Sequence, residues 1–249
     1  MTEDHLSAPR PGLSRRATTS LLATAVFLIT AACDAIPAGL TDPTAPPPQA
    51  PATAPAGAPA TPDDALALLA KLRVAPEDTG AHYDRDDWTH WIDQPKFGKG
   101  CDTREMMLVR QGSNTGGGPV KRDPADCYPL TGNGNTWTSA YDGVTVTDPS
   151  ELDIDHVVAL AEVARSGARN WTDAQRQAYA NDPAVLIAVT ASTNRSKSSD
   201  DLARWLPDQY RCPYAQQWTG IKARFQLTVD QAEHDAIASV LRRCGAGKR

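Results

Sequence analysis

The sequence has few features that would let it cross a membrane or attract nucleic acid through its overall charge. Its apolar run LLATAVFLIT, at residues 21–30, is shorter than the roughly 20 residues that a membrane-spanning helix needs. The 25 basic residues are outnumbered by 30 acidic ones, which gives a formal net charge of −5. This balance argues against a tight, sequence-specific DNA-binding protein, but it is compatible with an enzyme that has a locally positive groove.

Histidine and cysteine are also scarce, with five of each. No C-x-x-C pair is present and no histidine lies near a cysteine, which argues against a zinc site. If Cys33 is set aside, the four remaining cysteines form an even set, and in an exported protein such a set predicts disulfides. Of the three possible pairings we expect the local one, Cys101–Cys127 and Cys212–Cys244.

The N-terminal sequence is typical of an export signal. The basic pair Arg15-Arg16 precedes the apolar run, and the small residues of TAAC end at Cys33. This order is similar to a bacterial lipobox, in which the cysteine is lipidated, although Thr30 occupies the position where leucine is usual. Ordinary signal cleavage with full secretion is the alternative. We therefore expect a signal peptide at residues 1–33 and a protein that is secreted or anchored by a lipid to the outer face of the membrane.

Composition changes after the signal and again near residue 62. Residues 34–62 are rich in Pro, Ala and Thr and poor in large apolar groups, which predicts a flexible linker. A single folded domain is expected over residues 63–249. Thr61 as a cap and Pro62 in the first turn predict a helix where this domain begins.

Local patterns predict the later elements. A capping box at Thr172 predicts a helix over residues 173–180, and the β-branched run VLIAVT at residues 185–190 predicts a strand. A helix that begins near Asn194 should follow. A second capping box, which begins at Thr228, predicts the start of the last helix.

The segment ELDIDHVVAL, residues 151–160, places a carboxylate and an imidazole side by side in a predicted strand. Phosphodiester hydrolysis needs a base that deprotonates water and a cation that neutralises the phosphate. Histidine commonly acts as such a base, and the oxygens of Asp155 and Asn194 are ligands that Mg²⁺ prefers. Because neighbours in a strand point to opposite faces, His156 should lie beside the metal rather than on it.

Four segments together resemble the HNH, or ββα-metal (His-Me finger), endonuclease superfamily. The closer resemblance is to secreted actinobacterial proteins related to the C-terminal nuclease domain of GmrSD-type restriction enzymes. The segments are GCDTREMML, WTSAYDG with LDIDHVVAL, LIAVTASTNRSKSSDDLARWLP, and YRCPYAQQWTGIKARFQLTVDQAE. The resemblance implies an α+β fold. Its ββα-metal core would have a helix inserted between the two strands and would be surrounded by additional helices and two disulfides.

The resemblance also implies an activity and the residues that carry it. The protein would be a metal-dependent endonuclease, a phosphodiester hydrolase that acts as a monomer on the DNA backbone with little sequence specificity. Asp155 and Asn194 would bind one divalent cation, Mg²⁺ or alternatively Mn²⁺, and His156 would be the general base. Arg104 and Lys197 would contact the substrate phosphate.

Two departures from the family pattern affect the interpretation. Ala159 stands where many relatives have proline, which changes backbone stiffness and removes no reactive group. The long separation between His156 and Asn194 leaves the middle asparagine of the motif open between Asn170 and Asn181. The alternative function is a non-catalytic envelope lipoprotein that uses the nuclease-like fold as a binding module.

Overall fold

The computed structural model describes residues 58–246. The predicted signal peptide, the candidate lipidation site Cys33 and nearly all of the predicted linker lie outside these residues. The last linker residues already belong to the folded part, because Pro62 begins the first helix and the Pro59 carbonyl accepts a hydrogen bond of 3.0 Å from Gln216. Within residues 58–246, no helix has the length and apolar character that a bilayer span requires.

Seven α-helices and two small sheets form the described part of the chain. The helices are α1 (Pro62–Leu69), α2 (Thr103–Gln111), α3 (Leu160–Arg165), α4 (Asp173–Ala180), α5 (Ala191–Lys197), α6 (Arg211–Arg224) and α7 (Gln231–Ala246). The strands are β1 (Ser113–Asn114), β2 (Asn135–Thr138), β3 (Thr145–Val146), β4 (Leu152–His156) and β5 (Leu186–Thr190).

Three elements that were predicted from local sequence patterns are confirmed. The Thr61 side chain accepts the backbone N–H of Asp64 and caps α1, which begins at Pro62. Thr172 forms the expected capping box with Gln175 at the start of α4. The run VLIAVT contains strand β5. At the two helix starts the capping side chain satisfies backbone groups close to it in the sequence, so distant contacts are not needed to specify them.

The predicted start of the last helix is wrong by two residues. Asp230, rather than Thr228, accepts the backbone N–H of Glu233 at 2.8 Å. The Thr228 hydroxyl instead donates to the carbonyl of Ser166 at 3.1 Å. A tertiary hydrogen bond therefore takes the side chain that the local pattern assigned to the cap.

The predicted position of Asn194 at a helix start is also wrong. Helix α5 begins directly after β5, at Ala191, so Asn194 lies in its middle. The helix ends after Lys197, where Ser198 has a φ of 53° that a helix cannot continue. Seven residues are enough to bring one face of α5 against the neighbouring strands.

Strands β4 and β5 form an antiparallel pair, with Asp155 opposite Ile187 and His156 opposite Leu186. Helix α5 packs against both strands. The segment between the strands contains two helices, α3 and α4, where the sequence predicted one. Strands β1, β2 and β3 form a separate antiparallel sheet, and α1, α6 and α7 pack against one another.

Both predicted disulfides are present. Cys101–Cys127 joins the residue before the N-cap of α2 to a loop, and Cys212–Cys244 joins α6 to α7. Trp218 is fully buried in the core. The described residues therefore form a mixed α and β fold cross-linked by two disulfides.

Candidate active site

The carboxylates of β4 lie on the face of the strand that meets α5. Asp155 is almost wholly buried, and both of its oxygens are engaged. Oδ1 lies 2.9 Å from the ammonium of Lys197, and Oδ2 accepts a 2.8 Å hydrogen bond from the hydroxyl of Tyr141. Burial raises the pKa of Asp155, while Lys197 and Tyr141 oppose this effect.

Asn194 contacts Asp153 rather than the predicted partner Asp155. Its side-chain amide donates a 3.0 Å hydrogen bond to Oδ2 of Asp153, and both residues are half-buried. The sequence analysis did not single out Asp153. The signal was present, because residues two apart in a strand share a face and Asp153 precedes Asp155 by two positions. Asp153 and Asn194 are the accessible oxygen donors that would suit a hard divalent cation.

His156 faces different elements from Asp155. Its Nε2 lies 2.9 Å from the carbonyl oxygen of Ala180, the last residue of α4. Only 5% of His156 is exposed, against 6% of Asp155. Burial is the largest influence on its pKa, and together with the positive charges of Lys197 and Arg85 it lowers that pKa to about 3. The imidazole is therefore neutral at physiological pH.

Two aromatic rings enclose the His156 imidazole. Tyr179 stacks with it at a ring-centre distance of 6.2 Å, and Trp91 stacks with it at 6.0 Å. Tyr179 is fixed in turn, because its hydroxyl donates to the carbonyl of Val158 at 2.6 Å. No sequence pattern predicts the position of Trp91 against His156, which is a product of the tertiary fold.

The two predicted phosphate contacts are engaged in the fold. Arg104 donates to the carbonyl oxygens of Pro149 and Leu152, at 3.3 and 3.2 Å, and so supports the start of β4. Lys197 is fully buried, and its ammonium also donates to the His156 carbonyl at 3.0 Å. Phosphate binding by either side chain stays a prediction that would require these contacts to be exchanged.

A second missed carboxylate, Asp142, organises the junction between β5 and α5. It accepts hydrogen bonds from the hydroxyls of Thr190 and Thr193. Burial alone would raise its pKa, but these hydrogen bonds lower the pKa of Asp142 to about 2. The residue lies in the WTSAYDG segment beside Tyr141, so this segment holds α5 and Asp155 in place from one side.

The two candidate middle asparagines have different environments. Asn170 is exposed. Asn181 is buried at the end of α4, where its side chain accepts from the Thr103 hydroxyl at 2.8 Å and donates to the Thr89 carbonyl at 2.8 Å. Asn181 therefore connects the inserted helices to the segment that carries Trp91.

A separate acidic cluster lies among the described residues. The carboxylate oxygens of Glu77, Asp201 and Asp230 are all within 4.8 Å of one another. None of the predicted catalytic residues belongs to this cluster, so it is distinct from the candidate active site.

Comparisons with known proteins agree with the resemblance. Residues 128–240 match the family "GmrSD restriction endonucleases, C-terminal domain". A protein described as an uncharacterized secreted protein, from Arthroderma benhamiae, is 39% identical over 184 residues, which is 72% of this chain and 84% of that protein. No solved structure matches the chain. The chain therefore belongs to the same protein family as the secreted Arthroderma benhamiae protein, and it carries a domain related to the C-terminal domain of GmrSD restriction endonucleases.

Proposed function

We propose that this protein is a secreted, metal-dependent endonuclease that hydrolyses phosphodiester bonds of DNA. The observation that carries the proposal is the order β4–β5–α5, with the Asp-His pair at the end of β4 and Asn194 on α5. The relation of residues 128–240 to a restriction endonuclease domain supports the reaction class. The description of the fungal relative supports an extracellular location.

His156 would act as the general base. A carbonyl oxygen only accepts hydrogen bonds, so the contact with Ala180 requires Nε2 of His156 to carry the hydrogen. The other ring nitrogen, Nδ1, then has its lone pair available to take a proton from the attacking water. The carbonyl of Ala180 thus fixes both the tautomer of His156 and the orientation of its imidazole ring.

Asp153 and Asn194 would hold the divalent cation, and the predicted ligand Asp155 projects from the same face of β4. A carboxylate and an amide are the donor types that Mg²⁺ and Mn²⁺ accept. When bound, the cation would neutralise charge on the phosphate and on the departing oxygen. The exposed Arg195 on α5 adds a positive charge that favours contact with a DNA backbone.

The test is cleavage of supercoiled plasmid by the purified full chain with Mg²⁺, with Mn²⁺ or with EDTA. We expect cleavage with metal, none with EDTA, and a loss of roughly 100-fold or more in His156→Ala. Comparison of Asp153→Asn with Asp155→Asn identifies the carboxylate that the cation needs. Cleavage by His156→Ala at the wild-type rate would rule out the assigned base.

The alternative is a non-catalytic binding module, and the nearly complete burial of Asp155 and His156 is the observation that favours it. Binding of plasmid without cleavage under every metal condition would support this alternative. A parallel assay with single-stranded RNA determines which nucleic acid is the substrate.

A further inference from the structure

We propose that Arg85 binds the substrate phosphate beside His156 and that His90 positions the Arg85 guanidinium. This inference rests on the nuclease function proposed above and extends it to the substrate contact. It concerns the segment of residues 84–91, which has no assigned role in the sequence analysis.

The two side chains predicted to contact phosphate are already bonded within the fold. Arg104 is bonded to backbone carbonyls beneath β4, and Lys197 is buried between Asp155 and the His156 carbonyl. Besides the divalent cation proposed above, a phosphate that reaches His156 would be held by a side-chain cation that is not already engaged. Neither of these two residues offers one in the folded protein.

The segment of residues 84–91 lies against the His156 imidazole. The Trp91 ring stacks on the His156 ring, with 22° between their planes, and the His90 ring lies 5.1 Å from that of Trp91. Nη2 of Arg85 is 3.3 Å from Nε2 of His90. This chain of contacts connects the exposed guanidinium of Arg85 to the buried imidazole of His156.

The hydrogen bonds of His90 define its role. Because arginine only donates, Nε2 of His90 must accept from Arg85, and Nδ1 then donates to the Trp88 carbonyl at 2.7 Å. His90 is thereby held in one neutral tautomer that directs the guanidinium. Within residues 58–246, Arg85 forms no ion pair with a carboxylate, so its charge is available to an anion.

The backbone of the segment is constrained as well. Trp91 has a φ of 60°, a conformation that bulky side chains rarely adopt. Asp84 caps the short turn that carries Arg85 by accepting the Asp86 N–H at 3.0 Å. The segment therefore presents Arg85 and His90 from a fixed backbone, as a binding site requires.

The test separates binding from chemistry. In the inactive His156→Ala protein, affinity for a short single-stranded DNA is measured by fluorescence anisotropy in EDTA at several salt concentrations. Arg85→Gln should weaken binding about 10-fold and lower the salt slope by about one, while Arg85→Lys should retain part of the affinity. Arg242→Gln, which removes an exposed arginine on α7, is the matched control and should bind as the parent does.

Cleavage kinetics give a second measurement. In the otherwise wild-type chain, Arg85→Gln should mainly raise KM, and His90→Ala should raise KM by a smaller factor with little effect on kcat. If Arg85→Gln binds and cleaves as Arg242→Gln does, the inference is overturned while the nuclease function stands. If the wild-type chain does not cleave but Arg85→Gln still weakens DNA binding, the nuclease function fails and the phosphate contact stands.

Discussion

Lys197 lies wholly inside the protein, with its ammonium group against the carboxylate of Asp155 and the carbonyl of His156. A buried ammonium without a partner is unfavourable, so Asp155 stabilises Lys197 in this position. The pair ties the end of α5 to the end of β4, directly beside the imidazole. One side chain therefore contributes to the geometry of His156 without touching its ring.

We expect Lys197→Met to lower the free energy of unfolding by about 3–5 kcal/mol, because it leaves the carboxylate of Asp155 buried without a cation. The double variant Asp155→Asn/Lys197→Met should recover most of this loss. Urea denaturation measures both, and Lys99→Met, at an exposed site, should change stability by less than about 0.5 kcal/mol. An unchanged urea midpoint for Lys197→Met would contradict the burial of its charge.

The stable double variant also separates two roles of Asp155. If it folds but no longer cleaves plasmid, the Asp155–Lys197 pair is needed for the chemistry. If it cleaves, Asp155 serves only to stabilise Lys197, and the accessible Asp153 is the carboxylate that the cation requires.

At the scale of elements, the inserted helices determine the surroundings of His156. Tyr179 and Ala180, the last two residues of α4, supply a stacking ring and a carbonyl to His156. Asn181 follows them and connects α4 to α2 and to the segment before Trp91. The insertion is thus part of the site, although it adds no predicted catalytic residue.

Asn181→Ala should lower the free energy of unfolding by about 2–3 kcal/mol, because the partly buried Ile92 N–H and Thr89 carbonyl lose their hydrogen-bond partner. It should also speed amide hydrogen exchange in residues 89–92, where the Ile92 N–H loses its 3.1 Å hydrogen bond. Asn170→Ala is the control in the same insertion and should have almost no effect. If Asn170→Ala destabilised the protein more than Asn181→Ala, the structural role would belong to Asn170.

At the scale of the whole molecule, a buried charged network joins three helices. Nζ of Lys222 on α6 contacts the carboxylates of Glu162 on α3 and Glu233 on α7. The two carboxylates share the Lys222 ammonium, and Glu162 is also paired with Arg165. Burial, with a smaller contribution from Glu162, raises the pKa of Glu233 to about 7 even though Lys222 opposes the shift.

This raised pKa predicts that the contribution of Glu233 to stability falls with rising pH. The unfolded chain releases the Glu233 proton near its ordinary value of 4.5, whereas the folded protein holds it to about 7. Between these values Glu233 binds more proton in the folded state, so its contribution to the free energy of unfolding should decrease by roughly 1–3 kcal/mol as pH rises through this window, while the lowered pKa of His156 acts in the opposite direction. Urea denaturation across the window measures the slope.

Glu233→Gln should remove most of this pH dependence, because the neutral amide has no proton to lose. Asp235→Asn, at an exposed position of the same helix, should leave the slope in place. A slope in Glu233→Gln equal to that of the wild type would contradict the raised pKa of Glu233.

The sequence by itself determined the features that depend on near neighbours. Thr172 and Gln175 specify the start of α4, the β-branched run specifies β5, and the cysteines at positions 101, 127, 212 and 244 pair locally as predicted. These signals succeed because backbone capping, strand alternation and short-loop disulfides involve residues close in the chain.

Only the tertiary structure decided which charges are buried and which side chains meet. The sequence predicts a phosphate contact for Lys197, yet this side chain lies in the interior, and Asn194 contacts Asp153 rather than Asp155. The position of Trp91 over His156 follows from contacts between segments far apart in sequence. The physical reason is that the energy of a charged or aromatic side chain depends on the partners and solvent around it, and distant parts of the chain supply these partners.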